Sequence, residues 1–232
     1  MMKAEQIKKQ ILQLGNPETA ARTARFFKTG KGEYGEGDRF VGATVPEIRS
    51  VANSYKNLPL NEIKKLLQDK IHDCRHCALM IMVHQFKNGN EIKRHEIYEL
   101  YLANTAHINN WDLVDVSAKN IVGTWLIDKK RDILYELAQK ELWEQRIAMV
   151  ATHAFIKEAD FEDTIRLCEL FLTHPHDLMH KACGWMLREV GKQNEKTLTD
   201  FLETHASKMP RTMLRYSIEK LTPEQRHHYM KR

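Results

Sequence analysis

The sequence predicts an all-α fold assembled from helical pairs, and three observations carry that prediction. Apolar residues recur at helical spacing along nearly the whole chain, and no segment alternates apolar and polar as a half-buried strand does. The third is a set of helices that open with a charged residue and continue into a small, apolar run, at Arg75, Asp115, Arg146, Lys181 and Arg211, with separations of 40, 31, 35 and 30 residues. An uneven period of this kind is what stacked helical pairs of the HEAT and armadillo type show, each pair burying one face against the next and leaving a curved inner surface. An α-solenoid with a concave basic groove is therefore the favoured architecture, and the spacing leaves an irregular helical bundle open as the alternative.

The elements follow in order. Ile7, Ile11 and Leu14 mark a first helix that Gly15-Asn16-Pro17 ends, and a glycine-rich loop occupies about residues 29–43. Thr44-Val45-Pro46-Glu47 then supplies a cap, an early proline and a capping-box carboxylate. Ile63, Leu66 and Leu67, then Ile97, Leu100 and Tyr101, continue the helical period. The runs behind the recurring charges are Cys77-Ala78-Leu79-Met80, Val116-Ser117-Ala118, Ile147-Ala148-Met149-Val150, Ala182-Cys183-Gly184-Trp185 and Met213-Leu214. Asn110 stands where a helix cap belongs, which makes Asp112 a first-turn carboxylate favoured by the helix dipole and gives it a structural reading.

At 232 residues, 42% hydrophobic and 29% charged, the chain can bury a core as one body spanning 1–232. The excess of 36 basic over 31 acidic residues matters only where it collects on one face, and in a groove it would suit a polyanion. The start, Met1 to Gln10, lacks the apolar centre of a signal peptide, and the run from Ala78 to Val83 is far too short to span a membrane. Cysteines at 74, 77, 168 and 183 are too few and too irregular for a disulfide scaffold. A cytoplasmic, monomeric protein is expected.

Several motifs resemble chemistry that their context argues against. Gly30-Lys31-Gly32-Glu33-Tyr34-Gly35 fits a dinucleotide fingerprint, but no strand precedes it, and Glu33, Glu36 and Asp38 would repel a phosphate. A mobile loop that closes over a ligand is the better reading. Cys74-Arg75-His76-Cys77, with His72 four residues before His76, invites a zinc or redox reading, yet it has no partner motif and no βαβ setting. Buried cysteines on a core helix are favoured there, and His174, His176 and His180 around Pro175 read as a loop and helix start. Hydrolase and metalloprotease signatures are absent, and no metal is expected at either cluster.

Trp111 and Asp115 are the chemically suggestive pair, because four residues on a helix place an indole and a carboxylate on one face, where they can serve a cationic ligand. A carboxylate on a buried face is costly unless it meets a cation or a wet groove. Tryptophans at 111 and 185 are otherwise ordinary core residues. If the repeat holds, Arg75, Asp115, Arg146, Lys181 and Arg211 share one inner, mostly basic stripe with Arg188 and Arg215 nearby, as a phosphate backbone would require.

The chain resembles the AlkD-type alkylpurine DNA glycosylases, which are built from HEAT-like repeats. The resemblance runs through Phe40-Val41-Gly42, Pro46-Glu47-Ile48-Arg49, Trp111-Asp112-Leu113-Val114-Asp115, Trp143-Glu144-Gln145-Arg146 and Lys181-Ala182-Cys183-Gly184-Trp185-Met186-Leu187-Arg188-Glu189. It implies a solenoid cupping duplex DNA that contains alkylated purines, with Asp115, Trp111, Trp185 and Arg146 at the positions of the catalytic cluster and Phe26 where an aromatic flanks the lesion. It further implies hydrolysis of the N-glycosidic bond of N3- and N7-alkylated purines without base flipping and without a cofactor. The alternatives are a non-catalytic DNA-structure binder on the same scaffold and a helical scaffold for protein partners.

Overall fold

In a computed structural model, which describes residues 3–231, the chain is helical throughout, with no strand among the described residues. Met1 and Met2, at the start of the segment read as no signal peptide, lie outside them. The chain forms two compact units, Met1–Ile121 and Val122–Arg232. A π-helical turn at Lys119–Gly123 is where one ends and the other begins. Among the described residues no helix is long and apolar enough to cross a membrane.

The first unit holds α1 (Ala4–Gln13), α2 (Pro17–Phe26), α3 (Val45–Ser54), α4 (Leu60–Leu67), α5 (His72–Asn88), α6 (Glu91–Leu102) and α7 (Trp111–Ser117). Its boundaries have local causes. The Asn16 side chain accepts from the Thr19 amide ahead of Pro17, and Thr44 and Glu47 close a capping box on α3. Helix α5 is the hub, packed against α3, α4, α6 and α7. Accordingly its core residues Cys74, Cys77, Ala78, Leu79, Ile81 and Met82 have no exposed surface. The hub also buries His72, Asp73, Arg75 and His76, polar groups that need partners at that depth.

The loop between α2 and α3 supplies those partners. The Asp38 carboxylate is 3% exposed and engages both Arg75 and His72, while Asp73 accepts from the Val41 amide at 3.0 Å. An isolated parallel bridge joins Arg39 to Ile71. The expected mobile loop is thus anchored at its C-terminal half, because a carboxylate that reads as phosphate-repelling in sequence neutralises a buried guanidinium in space. At the end of this loop Gly42 has φ +85°, and a Cβ there would stand 2.3 Å from the Asn16 carbonyl oxygen and 2.6 Å from the Ala20 nitrogen. Gly42→Ala is expected to cost about 2–3 kcal/mol, from left-handed backbone strain and a clash with the first turn of α2. A urea melt with an unchanged midpoint would refute this.

The second unit holds α8 (Asp132–Ala138), α9 (Leu142–Ala151), α10 (His153–Lys157), α11 (Glu162–Leu170), α12 (Asp177–Gln193), α13 (Glu195–His205), α14 (Arg211–Ser217) and α15 (Pro223–Met230). Helix α12 is its hub and packs most extensively on α14. Gly184 permits that approach, since a Cβ there would lie 2.5 Å from Tyr216 Cβ and 2.6 Å from the Met213 oxygen.

The structure corrects the register of the recurring charges. Of the five only Arg211 opens its helix: Asp115, Arg146 and Lys181 are each the fifth residue of α7, α9 and α12. In α14 the fifth residue is Arg215, with Arg211 the first, and in α5 it is His76 rather than Arg75. Spacing alone fixed the period to within a turn, and helix starts fix the phase. All four cysteines are free and buried, as expected for core residues, and burial pushes the Cys77 thiol up to about 12.

Candidate functional site

In the first unit the structure builds an aromatic platform around Trp111. Asn110 is fully buried and caps α7, its Oδ1 accepting from the Trp111 amide at 2.9 Å while its Nδ2 donates to Asp38 at 2.9 Å. The indole that follows stacks on Phe27, with ring centres 5.0 Å apart and planes within 4°. Phe26 meets the indole edge-on at 6.0 Å and is 67% exposed. Phe40 and His72 back the stack, at 5.0 Å and 5.3 Å from Phe27.

Asp115 lies one turn beyond Trp111 on α7, and both side chains are half-buried while Leu113, Val114 and Ser117 point into the core. The buried Tyr101 hydroxyl pairs with Ser117 at 3.0 Å. Burial drives the Tyr101 phenol well above its usual range, and the Asp115 charge pushes the same way.

Beneath the platform runs a buried polar array. His72 places Nδ1 3.1 Å from Asp38 and Nε2 2.8 Å from Asp112. Burial alone would lower this imidazole, but Asp112 and Asp38 outweigh it and raise the group to about 9. Burial would likewise raise Asp38, and the His72, Arg75 and Asn110 partners more than reverse that. Arg75 also donates to the Asp69 carbonyl and to Asn109, each at 3.1 Å. Arg75 is therefore an internal tie, which removes it from any inner basic stripe.

In the second unit Arg146 is 4% exposed and donates from Nη1 to the Leu178 carbonyl at 2.5 Å, which fixes the direction of its guanidinium. Trp185 is half-buried, its ring 5.9 Å from that of His153. Lys181 pairs with Asp177 at 2.7 Å, and Arg188 with Glu219 and Glu189. Arg211 donates to the Met230 carbonyl at 3.0 Å. Arg215 is exposed and lines a cleft of about 600 Å³ with Arg226 and His227. His174, His176 and His180 make hydrogen bonds within the turn before α12, with His176 capping it.

Sequence reasoning missed Phe27, Phe40, His72, Asp38 and Arg75. The available signal was partial: Phe27 directly follows Phe26, and Arg75 already stood among the recurring charges.

The profile of a family described as "DNA alkylation repair enzyme" matches residues 7–221. A comparison with curated proteins finds no significant match. Among solved structures the chain is similar to a "Predicted DNA alkylation repair enzyme from Enterococcus faecalis", with a TM-score of 0.71 and 18% identity over 90% of this chain and 97% of that one. The structural likeness speaks for the fold alone. The family profile extends over nearly all of the sequence, and on that ground the chain belongs to the DNA alkylation repair enzyme family.

Proposed function

We propose that this chain is a monofunctional DNA glycosylase that hydrolyses the N-glycosidic bond of cationic N3- and N7-alkylated purines in duplex DNA, without base flipping. Family membership makes DNA the partner. The observation that carries the finer reading is the pairing, on one face of α7, of an indole backed by Phe27 with a half-buried carboxylate one turn on.

A purine alkylated at N3 or N7 is positively charged and already a good leaving group, so the reaction needs no strong general acid. Its barrier lies in the oxocarbenium-like sugar that develops as the base departs. Asp115 offers a fixed negative charge to that sugar and can orient the attacking water. Trp111 and Trp185 engage the positive nucleoside through their π faces, at roughly 0.5–2 kcal/mol each. Phe26 flanks the lesion as an exposed edge. Arg146 grips the adjoining phosphate, and Lys181, Arg188, Arg211 and Arg215 add contacts to the backbone.

The decisive assay is release of 7-methylguanine or 3-methyladenine from methylated duplex DNA by the purified monomer. Absence of release with DNA binding retained would favour a non-catalytic binder on the same scaffold. A separate outcome concerns Arg146→Ala, which is expected to weaken binding and to flatten the slope of log K against log salt by roughly 0.9 for one lost phosphate contact. An unchanged slope would remove Arg146 from the phosphate contacts.

A further inference from the structure

One group of side chains has the composition of a metal site. His72 and His76 are four residues apart on α5, which brings their rings to one side of the helix, with centres 6.3 Å apart and planes at 87°. Asp112, from the first turn of α7, lies against both, its Oδ2 2.8 Å from His72 Nε2 and 3.5 Å from His76 Nδ1. One donor atom from each of the three lies within 4.8 Å of the others. Tetrahedral zinc, with bonds of about 2.0–2.1 Å, needs donors about 3.3–3.5 Å apart, a spacing that small side-chain shifts reach here.

Three observations point beyond an ordinary buried cluster. Asp112 Oδ1 is buried and has no hydrogen-bond partner, an acceptor whose desolvation nothing offsets. His76 is 5% exposed, and its approach to Asp112 at 3.5 Å is too long for a good hydrogen bond. Finally, His72 turns its second nitrogen to Asp38 at 3.1 Å, and Asp38 is in turn held by Arg75 and Asn110. That carboxylate behind a ligating imidazole is the arrangement that orients histidines in metal centres.

We propose that His72, His76 and Asp112 bind a divalent transition ion, with zinc favoured by the two-nitrogen, one-oxygen donor set. The ion takes the place of the His72 proton between Asp112 and the imidazole. It joins the first turn of α7 to α5 and thereby sets the position of Trp111, the neighbour of Asp112 in the chain. The cysteines of the C-x-x-C take no part: the third ligand comes from a different helix, which is why the motif had no partner in sequence.

The test uses the full chain, stripped with a chelator and titrated with zinc and with cobalt. The expected result is one ion per chain by elemental analysis, a higher melting temperature on zinc addition, and cobalt visible bands without a thiolate charge-transfer band. His76→Gln is expected to abolish stoichiometric binding, Asp38→Asn to weaken it by about 10–100-fold, and Cys77→Ser to leave it unchanged. Absence of stoichiometric zinc binding by the wild-type chain would overturn the proposal, as would equal binding by His76→Gln. Should that variant fail to fold, the wild-type cobalt spectrum decides alone, because a strong thiolate band would assign the ion to the cysteines instead.

Discussion

Asp115→Asn is expected to lower release of 7-methylguanine from methylated duplex DNA by about 10²- to 10³-fold, the usual cost of removing one electrostatic group that acts on developing charge. The substitution keeps the size and helix position of the side chain and removes only the charge. Its effect should therefore fall on the chemical step under single-turnover conditions. DNA affinity should be unchanged or slightly tighter, since a negative charge leaves a surface that meets phosphates. The geometry suits this separation of roles. Trp111 is held by its stack on Phe27, with ring centres 5.0 Å apart. Equal release by both proteins would sink the assignment of Asp115.

Asp38→Ala is expected to destabilise the protein by about 3–5 kcal/mol, the range found when one member of a buried ion pair is removed and its partner stays behind. Asp38 answers Arg75, His72 and Asn110 together, and its side chain is 3% exposed. Alanine leaves the buried guanidinium without its carboxylate and frees the Asn110 amide that orients the start of α7. Glu36→Ala serves as a control from the same loop: its carboxylate accepts from the Gly32 amide at 2.8 Å but is solvent-exposed, and its loss should cost under about 1 kcal/mol. Chemical denaturation of the two variants would refute the argument if their midpoints fell together.

What was legible in the sequence was local. The Thr44 capping box, the stop at Gly15-Asn16-Pro17 and the shared face of Trp111 and Asp115 each depend on residues within a few positions, the first two through end-residue chemistry and the third through helical period. What was hidden depends on tertiary pairing. Nothing near Phe27 announces that its ring will lie on Trp111, because the contact joins α7 to a residue just past the end of α2. Asp38 misled for the same reason: among glycines and glutamates it reads as a solvated charge, and only the burial of Arg75 in the hub helix turns it inward. The recurring charges gave the period of the repeat, but the side chain's depth was set by how many helices pack around it. That is why Arg75 became internal while Arg215 stayed on the surface.

The fifth helical position has an implication for how such a chain can change. His76, Asp115, Arg146, Lys181 and Arg215 occupy it in five helices, so one backbone slot carries an imidazole, a carboxylate, two guanidinium groups and an ammonium. The depth of that slot differs from helix to helix: His76 and Arg146 are buried, whereas Arg215 lies on the surface. Chemistry at the shallow addresses can therefore be exchanged without redesigning the frame, while a buried one changes only together with the groups that satisfy it.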